Sequence, residues 1–252
     1  MISKTKISSY FLKKCSNITD SLSRFCESRD HEEIHKLRVE FKKIRALVSL
    51  VKECNKNSMI PREFESAKIV YRRAGVVRDA FIAHQQQSVI MEDVSSKDNI
   101  FLTHASDDFC MKEQLHLSVL NDWKMSVSEQ FQNVSNVCVI SYYRKWLSYL
   151  SEKFLSIEEE DLHECRKVIK RLMYLYPLMS EPIRQSLRIN VSYLDTLQEE
   201  IGKWHDTIIA REHYSGSDQK DEKHLRKIEM TGEARLKSIQ LLTTNFDEKF
   251  AG

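Results

Sequence analysis

Glycine and proline are scarce, five and three in 252 residues. With 30% charged residues, that composition suits a helical protein. No segment alternates polar and apolar residues well enough to argue for a sheet. Nowhere do 18 apolar residues run together, and the N-terminal MISKTKISSYFLKK holds no apolar signal core. A soluble, cytoplasmic protein is the simplest expectation. The six cysteines, Cys15, Cys26, Cys54, Cys110, Cys138 and Cys165, include no CxxC pair. Several have apolar neighbours at helix spacing, so they read as reduced and buried. There is no glycine-rich phosphate loop, no GxSxG and no alternating Glu and Lys of the tunnel-type triphosphatase kind. Net charge is only +2, so no global basic field advertises a polyanion partner. Any such partner requires positive charge concentrated locally.

One stretch concentrates it. Residues 31–54 read HEEIHKLRVEFKKIRALVSLVKEC. Ile34, Leu37, Phe41, Ile44, Val48 and Val51 recur at spacings of three and four, one apolar helix face. His35, Arg38, Lys42 and Arg45 form a second line. At ~100° per residue that line spans about 60°, centred roughly 100° from the apolar face. It runs about 15 Å along the helix. The basic groups therefore flank the core, while Lys36 and Lys43 fall on the far side as solvated lysines. The line holds no carboxylate, since Glu40 points elsewhere. Cations held side by side repel one another, and an anion of several charges would relieve that strain.

The pattern recurs. Residues 163–176 read HECRKVIKRLMYLY, and His163, Arg166 and Lys170 repeat the spacing of His35, Arg38 and Lys42 at an offset of 128 residues. Leu162, Cys165, Ile169 and Leu172 stand where Ile34, Leu37, Phe41 and Ile44 stand. A Gly-x-x-(Arg/His)-Asp motif follows each copy: Gly75 to Asp79, then Gly202 to Asp206. Two ordered motifs at nearly one offset indicate a duplicated helical unit.

These paired motifs resemble the CHAD family, the conserved histidine α-helical domain, over nearly the whole chain as a single domain, 1–252. The resemblance implies an all-α fold of two helical bundles related by a pseudo-twofold axis, with a basic channel between them. It also implies binding of inorganic polyphosphate, free or in granules, without catalysis. The second copy departs from the first: Met173 replaces Arg45, and His205 replaces Arg78.

Taken in order, the chain predicts four helices in each of two repeats, 1–134 and 135–252. The first repeat has helices over about 4–27, 31–54, 62–87 and 109–131, with residues 88–108 as an irregular stretch. The second has helices over about 137–155, 159–176, 183–212 and 220–244, with a loop at Ser215 to Asp218. Pro61 and Pro182 open helices, and Pro177 stops one. The acidic run from Glu158 to Asp161 suits a helix N-terminus. Ile69, Ile82 and Leu115 are among the expected inward residues.

The expected polyphosphate-binding set is His35, Arg38, Lys42, Arg45 and Arg78 from one repeat, and His163, Arg166, Lys167, Lys170 and His205 from the other. Arginine would fork onto phosphate oxygens and lysine would act as a point charge. A protonated imidazole donates from both nitrogens. His35 and His163 read as ligand contacts, against the alternative of core histidines. Asp79 and Asp206 read either as carboxylates orienting a neighbouring cation or as surface ion pairs. Gly75 costs about 1 kcal/mol relative to alanine inside a helix, so close approach of another helix is the expected compensation. His31 to His35 matches HExxH, a zinc-peptidase pattern. Glu159 stands at the position of His31 in the second copy, so only the second histidine belongs to the repeat. No catalytic residue, metal or cofactor is expected. An adaptor for nucleic acid or a phosphorylated protein is the alternative function, although few aromatic-basic clusters favour single-strand stacking. No membrane partner is expected.

Overall fold

The computed structural model describes residues 1–90, 96–215 and 222–250. The chain divides into two compact units, Met1–Ser135 and Asn136–Gly252. Unit 1 holds α1 (Lys4–Ser28), α2 (His31–Cys54), α3 (Ile60–Ile90), α4 (Ser96–Met111) and α5 (Glu113–Ser128). Unit 2 holds α6 (Asn136–Leu155), α7 (Glu159–Leu175), a 3-10 turn at Tyr176–Leu178, α8 (Glu181–Leu187), α9 (Val191–Ser215), α10 (Glu222–Thr243) and α11 (Phe246–Phe250). The fold is all-α. An isolated antiparallel bridge joins Ile2 and Val134. No described helix is long and apolar enough to cross a membrane.

The helix ends follow local chemistry. Ser3 caps α1, accepting from the Lys6 amide, and Asp30 caps α2, accepting from the Glu32 amide at 2.9 Å. Glu32 and Glu33 in α2, and Glu159, Glu160 and Asp161 in α7, place carboxylates at the positive helix ends. Among the described residues glycine supplies none of the left-handed positions. Arg29, Arg188 and Asn245 take them instead, at φ 58°, 46° and 54°. For the two arginines that conformation costs on the order of 1 kcal/mol each.

Three of these ends correct the expected four-plus-four count. Residues 96–108 are helical, and the long helix expected to begin at 109 is broken at Lys112 into α4 and α5. The helix opened by Pro182 stops at left-handed Arg188, and α9 starts afresh at Val191. Leu187, Val191 and Leu194 keep helical spacing across the second break, so periodicity alone joined those pieces. Helix α11 follows left-handed Asn245 and is too short for periodicity to reveal. Residues 91–95 and the loop at Gly216 to Asp218 lie outside the described residues.

Unit 1 closes on an aromatic cluster. Phe11 meets Trp123 and Phe131 edge-on, with ring centroids 5.1 and 5.2 Å apart, while Phe41 and Phe64 contact Trp123 from α2 and α3. Unit 2 buries Tyr143, whose hydroxyl donates to the Leu172 carbonyl at 2.7 Å and ties α6 to α7. Ile69, Ile82 and Leu115 are exposed, not inward. Cys15 and Cys165 are buried free thiols, and burial pushes both up to about 12. Cys26 and Cys110 are half-buried free thiols. Cys54 and Cys138 are not among the free thiols, which corrects the reduced reading at those positions. Sequence spacing reveals local cysteine pairs only, whereas bonding depends on distance in space.

His116 is the one fully buried histidine among the described residues, 1% exposed. Its Nε2 lies 3.1 Å from an Arg73 Nη1 that can only donate, so Nε2 accepts and the proton sits on Nδ1. Burial, then Arg73 and Lys112, lower its pKa to about 4, with Asp108 opposing. The folded state therefore keeps His116 neutral where the unfolded chain, titrating near 6.5, binds a proton. Its contribution is complete above pH 6.5 and is lost as pH falls toward 4. We expect unfolding free energy to drop by up to about 3 kcal/mol over that window from this group. Urea titrations at pH 7, 5.5 and 4.5 should show the loss in the wild type and a shallower one in His116→Phe.

Candidate functional site

Helices α2 and α3 pack against each other in unit 1, as α7 and α9 do in unit 2. The basic lines lie along these contacts. On α3, Tyr71, Gly75 and Arg78 share one face by their spacing of four and three. On α9, Gln198, Gly202 and His205 share one in the same spacing.

In unit 1, half-buried Arg38 donates through Nη1 to the Tyr71 carbonyl at 3.1 Å, and its guanidinium lies 4.5 Å from the Tyr71 ring centroid. Exposed Arg45 reaches the same ring at 5.7 Å. Tyr71 is thus a platform shared by two arginines of the line. Each cation–π contact is worth about 0.5–1 kcal/mol at such a site. The sequence reading did not single out Tyr71, although its place four residues before Gly75 was the available signal. Lys42 is half-buried and His35 is exposed on the same helix.

Arg78 lies over Phe81 at 5.4 Å, and the His31 ring stacks on the other partner position of Phe81 at 4.2 Å and 16°. Arg29, Asp30, Glu32 and Gln85 join them around an open cavity of about 410 Å³. Burial, then Arg78, holds the His31 imidazole below its ordinary range. His31 is therefore a packing residue at the start of α2, and His35 is exposed one turn on. Among the described residues no group of three or more His, Cys, Asp or Glu is placed to hold a metal ion.

In unit 2, half-buried Arg166 donates through Nε to the Gln198 carbonyl at 3.0 Å. Gln198 takes the place of Tyr71 and Met173 that of Arg45, so the second arginine and its aromatic platform are absent together. His163 and His205 face each other with ring centroids 4.8 Å apart. Burial lowers the His163 pKa, followed by Lys167, His205 and Arg166, with Glu164 opposing. Lys170 is half-buried. Burial and the Arg166 charge lower its pKa, and Asp195 and Glu199 only partly compensate.

Lys167 acts on this group through its charge, first among the cations beside His163, while its ammonium is held by Glu164. It is 50% exposed and forms an ion pair with Glu164 at 2.6 Å. Its position on α7 has no basic counterpart in the first line, where Val39 stands. The i,i+3 spacing to Glu164 makes it an ordinary surface pair.

Elsewhere the acids neutralise lysines in the same local way. Glu33 holds Lys36, and Glu40 holds Lys43 and Lys14 at 2.5 and 2.9 Å. By contrast, Arg38, Arg45, Arg78, Arg166 and Lys170 form no ion pair with any carboxylate among the described residues. Asp79 and Asp206 are exposed and pair with none of them. Neither the orienting role nor the surface ion pair expected of these aspartates is present among the described residues.

The two glycines also differ from expectation. An added Cβ at Gly75 would meet Arg38 Nη1 at 2.5 Å, and one at Gly202 would meet Arg166 Nη2 at 2.8 Å. All three nearest atoms at each glycine belong to the arginine, so the close approach is by a guanidinium and not by a helix backbone.

Comparison with known proteins agrees with this architecture. The CHAD domain family model matches residues 10–215. The crystal structure of the CHAD domain from the plant Ricinus communis is similar at a TM-score of 0.64, with 14% sequence identity. The match covers 96% of this chain and 91% of that one. At that identity the likeness speaks for the fold. No curated protein matches. With the family model spanning most of its length, the chain belongs to the CHAD domain family.

Proposed function

We propose that this protein binds inorganic polyphosphate without turning it over, through the basic lines on α2–α3 and α7–α9. The observation that carries the reading is the contrast in charge compensation. Lys36, Lys43, Lys167 and Lys203 each form an ion pair with a carboxylate one turn away, whereas Arg38, Arg45, Arg78, Arg166 and Lys170 form none among the described residues, and Asp195 and Glu199 offset the charge around Lys170 only in part. Half-buried like charges such as Lys170 beside Arg166 are left with a repulsion that an incoming polyanion removes. Arginines held by one N–H keep further donors in a planar fork suited to phosphate oxygens. Membership of the CHAD family fits a linear phosphate polymer as the ligand. The lines contain no arrangement of nucleophile and base that hydrolysis would need.

Labelled long-chain polyphosphate competed against RNA at several salt concentrations tests the proposal. The expected result is preferential capture of polyphosphate, with log affinity falling against log salt by roughly 0.7 per phosphate contacted, as for a flexible single strand. Equal or better competition by RNA would instead support a nucleic-acid adaptor.

The histidines add a pH dependence. In the free protein burial, then Lys167, His205 and Arg166, holds the His163 imidazole below its ordinary range, with Glu164 opposing. Bound phosphates favour its charged form, so binding takes up a proton. Affinity should rise as pH falls from 8 to 6, several-fold in the wild type. His163→Gln should flatten that rise in an isothermal titration series.

A further inference from the structure

We propose that Gly75 and Gly202 are positioning residues for the ligand-binding arginines. Each glycine opens a notch in its helix that seats one guanidinium, and each notch is closed by a backbone carbonyl four residues earlier. This inference rests on the polyphosphate reading and refines it.

The two units show the same device built from different atoms. In unit 1 the guanidinium of Arg38 lies against Gly75 and donates through Nη1 to the Tyr71 carbonyl. In unit 2 that of Arg166 lies against Gly202 and donates through Nε to the Gln198 carbonyl. The carbonyl of residue i−4 already accepts the helical amide bond, and its second lone pair takes the arginine. A missing Cβ is what allows the guanidinium to come this close to the helix, end-on through Nη1 at Gly75 and broadside at Gly202. A Cβ at Gly202 would also stand 3.0 Å from Nε and 3.1 Å from Cζ of Arg166. Such a contact is tighter than ordinary packing, so the guanidinium would have to shift off the notch, which weakens its hold on the carbonyl.

Seating the arginine serves binding in two ways. It fixes a long, flexible side chain before the ligand arrives, which removes part of the ordering entropy from the binding step. It also orients the fork, so that the donors not used by the carbonyl present a constant geometry to phosphate oxygens. A glycine within a helix is otherwise a poor choice, because alanine favours the helix more. A role in helix packing alone would place atoms of the facing helix's backbone at the notch, and none is among the nearest atoms at either glycine.

The test is the full chain carrying Gly75→Ala and Gly202→Ala together, compared with wild type in two measurements. Side-chain 15N NMR of Arg38 and Arg166, assigned by Arg→Lys variants, reports whether the guanidinium is held. Titration with long-chain polyphosphate reports binding. We expect slow-exchanging Nε–H signals in wild type that broaden or vanish in the alanine variant. We expect a thermal midpoint equal to or above wild type, and affinity lower by on the order of tenfold. In an Arg38→Gln, Arg166→Gln background the alanine substitutions should weaken binding no further. A lower midpoint with the arginine signals unchanged would mean that the glycines serve helix packing, which overturns the proposal. Unchanged affinity after the signals are lost would overturn it as well, as would equal weakening in the glutamine background. If wild type holds its arginines but binds no polyphosphate, it is the ligand assignment that fails, and with it the binding role of the notches.

Discussion

Replacing Arg38 and Arg166 together with glutamate is expected to abolish capture of long-chain polyphosphate while helix content by circular dichroism stays at the wild-type level. Each arginine offers charge-assisted hydrogen bonds worth about 1.5–3 kcal/mol. Losing one such interaction in each unit costs on the order of 10²- to 10⁴-fold in affinity. Reversal adds repulsion between the new carboxylates and the polymer. The fold should tolerate the change, because both arginines lie beside the core and their apolar neighbours Leu37, Phe41, Cys165 and Ile169 remain buried. Each glutamate would face a carbonyl that it cannot satisfy, so a modest stability loss is expected. The matched Arg→Gln pair separates that loss from the charge effect. Lys13→Glu with Lys237→Glu makes the same net-charge change on exposed positions, one in each unit. That control should weaken binding only slightly and mainly at low salt. If the control and the arginine pair weaken binding alike, the protein is responding to its overall field and the assigned lines are wrong.

Phe11→Ala should remove about 3–5 kcal/mol from the stability of unit 1. Phe11 is fully buried and touches both Trp123 and Phe131, so its loss leaves a cavity among rigid rings that cannot close over it. Trp123 is the sole tryptophan of unit 1, and Trp146 and Trp204 belong to unit 2. In a Trp146→Phe, Trp204→Phe background, tryptophan fluorescence during urea unfolding reports unit 1 alone. The midpoint should move sharply to lower urea. A shift equivalent to less than about 1 kcal/mol would mean that the aromatic cluster repacks, contrary to the close packing described here. His116, packed on Phe109 at 4.6 Å in the same unit, makes the loss more severe below pH 6, where its own contribution is already falling.

Much of this molecule was legible before any coordinates. The spacing of Ile34, Leu37, Phe41 and Ile44 set the buried face of α2, and the offset of 128 residues marked α7 as its counterpart. Both follow from the helical repeat, which places residues on faces by number alone. The duplicated arginines stood out for the same reason. The breaks at Lys112 and Arg188 did not, because left-handed or irregular backbone at a non-glycine residue leaves no mark on an apolar period. The ion pair of Lys167 with Glu164 stayed unnoticed, since it depends on the rotamers that both side chains take up. Tyr71 stayed unnoticed, since its role lies in what reaches it from another helix.

The sequence by itself determined that the chain is helical, that a basic motif recurs along it, and which residues stand in line along α2 and α7. Those properties are periodic, and a period is a property of the chain alone. Only the tertiary structure decided which cations go without a carboxylate, which aromatic ring two arginines share, and what occupies the space beside Gly75 and Gly202. Those depend on separations of a few ångströms between residues on different helices, far apart along the chain, and no spacing along the chain encodes such distances.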